Sequence, residues 1–185
     1  MTKLDRVTSR VTCFTTRNVD TDQIIPARFL KRIDKAGFGD HLFEDLKPAE
    51  VMQISDARKR EILIAGPNFG CGSSREHAVW ALRDFGFRVI ISTSFADIFK
   101  ENSLKNGVLT IELDPATHGR LVEVFRKAPE SPMTVDLREK TLQYGDVQTT
   151  FQVNSFSRTC LLEGLDELGY ILKHESQIAA FEKAR

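Results

Sequence analysis

The sequence predicts an α/β fold: a central, mostly parallel sheet with flanking helices and a β-rich C-terminal third. Three observations carry this. Short continuous apolar runs alternate with amphipathic helical segments through the middle of the chain. Glycine marks the junctions between them. After Pro132 the pattern becomes one of short strand-like segments separated by turn formers.

Residues 6–19 are rich in Val, Thr and Phe and read as a first strand. The segment Asn18 to Asp22 is rich in turn and cap formers, and Pro26 disfavours a helix through that point. Residues 29–43, with Gly37 and Gly39, read as a long loop or a loop plus a short helix, and 47–60 as a helical turn followed by a charged surface. Ile62-Leu63-Ile64-Ala65 is a buried strand, and residues 66–72 are a glycine-rich turn. Residues 73–85 form a helix: Ala78, Val79, Ala81, Leu82 and Phe85 share one face, and Ser73-x-x-Glu76 fits a capping box. Gly86 stops it. Strands at 88–92 and 108–113 alternate with helices at 95–104 and 115–127, the pattern of parallel crossover units. Residues 133–137, 141–144 and 147–153 read as antiparallel strands, followed by helix at 161–172 and 178–181.

A length of 185 residues suits one domain spanning residues 1–185. Lys+Arg and Asp+Glu both number 26, so the net charge is zero, which disfavours a general nucleic-acid or anionic-membrane partner. No apolar run reaches membrane-spanning length, and the first residues lack the apolar block of a secretory signal. The expected compartment is the cytoplasm. Cys13, Cys71 and Cys160 lie far apart, which fits neither a disulfide framework nor a four-cysteine cluster site. No metal site is expected on this chain. If the protein uses an iron–sulfur cluster, another chain holds it.

The most informative segment runs from Gly66 through Gly70-Cys71-Gly72-Ser73-Ser74-Arg75 to Ala78, between a strand and a helix. Gly70 and Gly72 permit close backbone approach. Amides at a helix start favour an anion. The serines add hydroxyls, and Arg75 adds a planar fork that grips a carboxylate with two bonds. The spacing is not that of a Walker A loop, a dinucleotide-binding loop or a nucleophile elbow. A capped helix after a glycine turn is also a common structural device, so the loop alone does not decide.

The segment Phe69 to Ala78 resembles the active-site loop of the swivelling β/β/α domain in aconitase-type enzymes. Asn18 to Pro26 resembles that domain's entry motif, and Ser94 to Phe99 with Asn102-Ser103 resembles the segment after the second central strand. Leu162-Glu163-Gly164-Leu165-Asp166 is similar to the small subunits of 3-isopropylmalate dehydratases. The matching blocks span most of the chain in order.

The resemblance implies a hydro-lyase of leucine biosynthesis. It interconverts 2-isopropylmalate and 3-isopropylmalate through 2-isopropylmaleate. It also implies that a separate large subunit carries a [4Fe–4S] cluster, while this chain binds no cofactor. Ser73 matches the family's base, and Ser74 and Arg75 match its substrate-carboxylate ligands. A capping role for Ser73 conflicts with base chemistry, and either serine could make the cap. Asp22 matches an acidic residue near the serine, with a turn or cap aspartate as the competing reading. Arg32 is the best match for a second carboxylate ligand, with Arg28 and Lys31 competing. Phe29, Leu30, Ile33, Phe38 and Leu42 would form either an apolar wall for the isopropyl group or simply core. Cys71 and His77 read as structural. The alternatives are a related small subunit acting on homoaconitate, citraconate or dimethylmalate, or a non-catalytic anion- or RNA-binding module. The Phe29 to Phe43 segment and salt-dependent RNA binding would discriminate between these.

Overall fold

The computed structural model describes residues 1–30, 36–46 and 60–183. The strands are β1 (Arg6–Phe14), β2 (Ile62–Ala65), β3 (Val89–Ser92), β4 (Leu109–Glu112), β5 (Pro132–Asp136), β6 (Thr141–Tyr144) and β7 (Val147–Thr150). The helices are α1 (Thr21–Ile24), α2 (Glu76–Phe85), α3 (Asp97–Lys105), α4 (Pro115–Lys127), α5 (Ser155–Glu163), α6 (Glu167–Lys173) and α7 (Glu175–Lys183). Among the described residues one sheet runs in the order β4-β3-β2-β1-β5-β6-β7.

Strand β1 divides that sheet. Its second half, Val11 to Phe14, pairs in parallel with Ile62 to Ala65, and β2, β3 and β4 continue in parallel. Its first half, Arg6 to Arg10, pairs antiparallel with β5, and β6 and β7 extend that side. Burial follows the pairing. Every residue of β2 and β3 is buried, as expected for parallel strands covered on both faces. Strands β5 and β6 alternate between buried and more exposed positions, as expected where one face meets solvent.

Alternate residues of β2 feed two core layers. Leu63 and Ala65 pack with Val79, Leu82 and Phe87 around α2, while Ile62 and Ile64 pack with Leu109, Leu121 and Val135 on the opposite face. Gly86 ends α2 at φ 128°, its N–H donating to the carbonyls of Leu82 and Arg83. Asp114 caps α4 by accepting from the amides of Ala116 and Thr117, with Pro115 in the first turn.

Two expected helices are corrected. The segment 161–172 is not one helix: Gly164 ends α5 in the left-handed region at φ 74°, and Asp166 caps α6 by accepting from Gly169 N–H. The helix expected from Ser73 begins instead at Glu76. Most of the expected turn at 47–60 lies outside the described residues. No helix among the described residues is long and apolar enough to cross a membrane.

Candidate active site

The site is assembled where β1, β2 and β3 release their carboxyl ends, the place where parallel α/β sheets usually bind ligands. Three segments meet there. The chain after β1 runs beside the chain after β2: Asn18 N–H donates to the Pro67 carbonyl at 2.9 Å, Gly70 N–H to Val19 at 2.8 Å and Thr21 N–H to Cys71 at 2.9 Å. The chain after β3 closes the other side. Phe69 N–H donates to the Ser94 carbonyl at 3.3 Å, and Ala96 N–H to the Phe69 carbonyl at 3.2 Å. Short parallel bridges, Asp20 with Cys71 and Phe69 with Phe95, mark both seams.

Gly70 sits at φ 76° with its α-carbon against the Phe99 ring; a β-carbon there would lie 2.2 Å from the ring. Only glycine meets both demands. The loop is thereby pinned on a rigid aromatic floor, where Phe99 is 3% exposed and meets Phe69 edge-on at 5.5 Å.

Ser73 and Ser74 lie on the outer side of this loop and are exposed. Neither caps α2. Arg75 occupies the N-cap position and the helix has no side-chain cap. The backbone carbonyl of Ser73 accepts from Thr21 Oγ1 at 3.1 Å and from Arg75 N–H at 2.8 Å, which turns the chain before the helix begins. Glu76 does not reach back to Ser73; its carboxylate accepts from Asn106 Nδ2 at 2.9 Å. The capping-box reading is therefore overturned, and with it the conflict over the Ser73 hydroxyl. A real capping box was missed one motif earlier. Asp20 accepts from Gln23 N–H at 2.8 Å, and Gln23 Oε1 accepts from Asp20 N–H at 3.0 Å.

Asp22, in the first turn of α1, meets Arg75: Arg75 Nη1 donates to Asp22 Oδ1. The cap reading of Asp22 gives way, because Asp20 makes the cap. The Asp22 side chain is half exposed, so this ion pair contributes little to stability. Arg75 also lines a cleft of about 210 Å³, together with Thr21, Gly70, Gly72, Ser73, Ala96, Asp97, Ile98 and Phe99. Two helix starts without side-chain caps, those of α2 and α3, border it. Such ends favour anions.

The expected residues thus fall into groups. Ser73 and Arg75 line the cleft, Ser74 lies exposed beside it, and Asp22 reaches it through Arg75. Arg32, Lys31 and Ile33 lie outside the described residues. Arg28 is bound to Asp45 and Glu44 and lies over the Phe29 ring, and those carboxylates push its pKa further up. Phe38 and Leu42 are core residues, with Phe38 packed against His77 and Trp80. His77 serves that aromatic cluster, where burial lowers its pKa. Burial and then the Asp20 charge push the Cys71 thiol up, keeping it neutral. Among the described residues no three His, Cys, Asp or Glu side chains are grouped to hold a metal ion. The sequence reading gave no role to Thr21, Ala96, Asp97, Ile98 or Phe99, although the Ser94 to Phe99 block was the signal that could have found most of them. A second cleft, of about 230 Å³, is lined by Met1, Leu104, Phe156 and Cys160 among others. It holds none of the loop residues and is a seam between helices.

Comparison with known proteins identifies the family. The family model of the aconitase C-terminal domain matches residues 1–116. A 3-isopropylmalate dehydratase small subunit from Rubrobacter xylanophilus is 51% identical over 91% of this chain and 87% of its own length. One from Anaeromyxobacter dehalogenans is 48% identical over 97% of this chain and 96% of its own. The crystal structure of a 3-isopropylmalate dehydratase from Methanocaldococcus jannaschii superposes with a TM-score of 0.71 at 24% identity, covering 96% of this chain and 99% of that one, and shows the shared fold. The chain therefore belongs to the family of 3-isopropylmalate dehydratase small subunits, built on the aconitase C-terminal fold.

Proposed function

We propose that this chain is the small subunit of a 3-isopropylmalate dehydratase, a hydro-lyase of leucine biosynthesis. In this reading, residues 1–185 act as one swivelling domain that closes over the active centre of a larger partner in the cytoplasm. The observation that carries it is the cleft beside Gly70, which is lined by both Ser73, whose side chain caps no helix, and Arg75. Three free thiols at Cys13, Cys71 and Cys160 suit a reducing compartment.

The reaction moves a hydroxyl and a hydrogen between adjacent carbons of a dicarboxylic acid. A [4Fe–4S] cluster on the large subunit would supply a Lewis acid for the departing hydroxyl. This chain supplies the rest. Arg75 binds one carboxylate, exchanging its contact with Asp22 for a charge-assisted bond to substrate. Ser74 is exposed next to it and supplies a further hydroxyl donor. Arg32 remains the candidate for the second carboxylate.

Ser73 takes the proton from the carbon beside a carboxylate, and returns it when water adds in the opposite sense. A neutral serine is a weak base, so its alkoxide needs positive surroundings. The Arg75 guanidinium and the amide-rich starts of α2 and α3 at the same cleft supply them. Charge that develops on the substrate carboxylate during deprotonation is stabilised by the same groups. Asp22 keeps Arg75 aimed before substrate arrives.

The test is anaerobic mixing with a cluster-bearing large subunit, following the ultraviolet absorbance of the unsaturated intermediate. Activity that requires both chains supports the reading. A preference for citraconate or homoaconitate over isopropylmalate in the same assay would move the chain to a related hydro-lyase.

A further inference from the structure

The residues lining the cleft are of two chemical kinds. Thr21, Ser73 and Arg75, from α1 and the glycine loop, are polar. Ala96, Ile98 and Phe99, from the start of α3, are apolar, with Asp97 between them. The two larger apolar side chains differ in what they do. Phe99 is committed to the fold: it is 3% exposed, lies under Gly70 and stacks on Phe95. Ile98 is 50% exposed although it lines the same cleft. Its neighbours one helical turn on, Glu101 and Asn102, are polar, so it belongs to no apolar stripe of α3. An exposed isoleucine is unremarkable by itself. Here it shares one small cavity with a serine hydroxyl and a guanidinium. A ligand held at its carboxylate by Arg75 would bring its other end against this branched side chain.

We infer that Ile98 is a specificity-determining residue, forming the apolar wall that receives the alkyl branch of the substrate. This rests on the proposed dicarboxylate reading of the cleft. It transfers the apolar-wall role from Phe38 and Leu42, which are consumed by the core, to the first turn of α3. The ligand class that fits is a malate carrying a branched aliphatic substituent: charged at the Arg75 end and apolar at the Ile98 end. Apolar contact discriminates modestly, by roughly tenfold to two-hundredfold for each missing methylene or methyl group.

The test uses the assembled two-subunit enzyme with 2-isopropylmalate and its methyl-bearing analogue, 2-methylmalate. Turnover is followed for the first, and the competitive inhibition constant for the second. Ile98→Ala should lower kcat/KM for 2-isopropylmalate roughly tenfold while leaving the 2-methylmalate inhibition constant within about twofold. Ile98→Val should fall between. Equal weakening towards both compounds, or no change towards either, overturns the inference. So does weakened association with the large subunit at unchanged discrimination, which would make Ile98 a docking residue. Arg75→Ala is the control for the underlying reading. If it spares both compounds, the carboxylate assignment fails. If it weakens both and Ile98→Ala leaves their ratio unchanged, only the role of Ile98 fails.

Discussion

The two halves of the sheet, joined at β1, do different work. In the parallel half, β2, β3 and the second half of β1 are buried at every position, end together and release three segments joined by hydrogen bonds: 18–22, 66–75 and 94–97. The cleft lies among those segments. In the antiparallel half, β5, β6 and β7 turn back on themselves and expose alternate residues, as in the Thr8–Thr134 hydroxyl pair on the outer face at 2.9 Å. The antiparallel ladder fixes its own ends with tight turns and leaves no set of strand ends for a site. On the proposed reading of the cleft, the parallel half carries the chemistry and the antiparallel half anchors it.

The sharpest attempt to break this comparison is Ser73→Ala. Its hydroxyl makes no cap bond, so the fold should be indifferent to the change. Turnover should fall roughly 10²–10⁴-fold, about 3–5 kcal/mol of barrier, with an unchanged melting temperature. Near-normal turnover in the assembled enzyme would remove Ser73 from the base role. Arg75→Ala comes next. We expect kcat/KM to fall roughly a hundredfold, about 3 kcal/mol, and Arg75→Lys to restore only part of it because a point charge lacks the planar fork. Melting should hardly move, since the Asp22 contact is half exposed. A collapse in stability would instead make Arg75 structural.

Gly70→Ala probes the joint between chemistry and scaffold. It places a methyl group 2.2 Å from the Phe99 ring at φ 76°. Strain and overpacking together should cost about 2 kcal/mol, lowering the melting temperature by roughly 4–8 °C. Turnover should fall too, because the loop can relieve the clash only by lifting Ser73 and Arg75 off their floor. Loss of stability with full turnover would separate the loop geometry from catalysis.

Much of the parallel half was legible in the sequence because its signals are local. Ile62 to Ala65 is a continuous apolar run and becomes β2, and Pro115 to Lys127 carries its own cap and is α4. The start of α2 was not legible. Ser73-x-x-Glu76 satisfies the local template for a cap, but Thr21, more than fifty residues earlier in the chain, bonds the Ser73 carbonyl and turns the backbone first. Asp20-x-x-Gln23 is the opposite case: a true box before a helix too short to show an apolar period. For the site, the loop could be read but its opposite wall could not. Ile98 and Phe99 reach the cleft only because β3 pairs beside β2 and Phe69 bridges Phe95, which are long-range pairings. Phe38 and Leu42 looked equally suited to an apolar wall, and packing against α2 claimed them.

The smallest expected effect tests the anchor half. Tyr144 on β6 is fully buried, and its hydroxyl has no hydrogen-bond partner among the described residues. Burial pushes its pKa up to about 12, so it stays neutral and leaves no charge to exploit. Removing an unsatisfied hydroxyl while keeping the ring takes away a desolvation cost and no contact. Tyr144→Phe should therefore leave stability within about 1 kcal/mol of the parent, on the favourable side, with turnover and subunit association unchanged. Chemical denaturation read beside the coupled assay would show it. A loss of turnover at full stability would mean that the antiparallel half also reaches the active centre, and the division of labour across β1 would have to be abandoned.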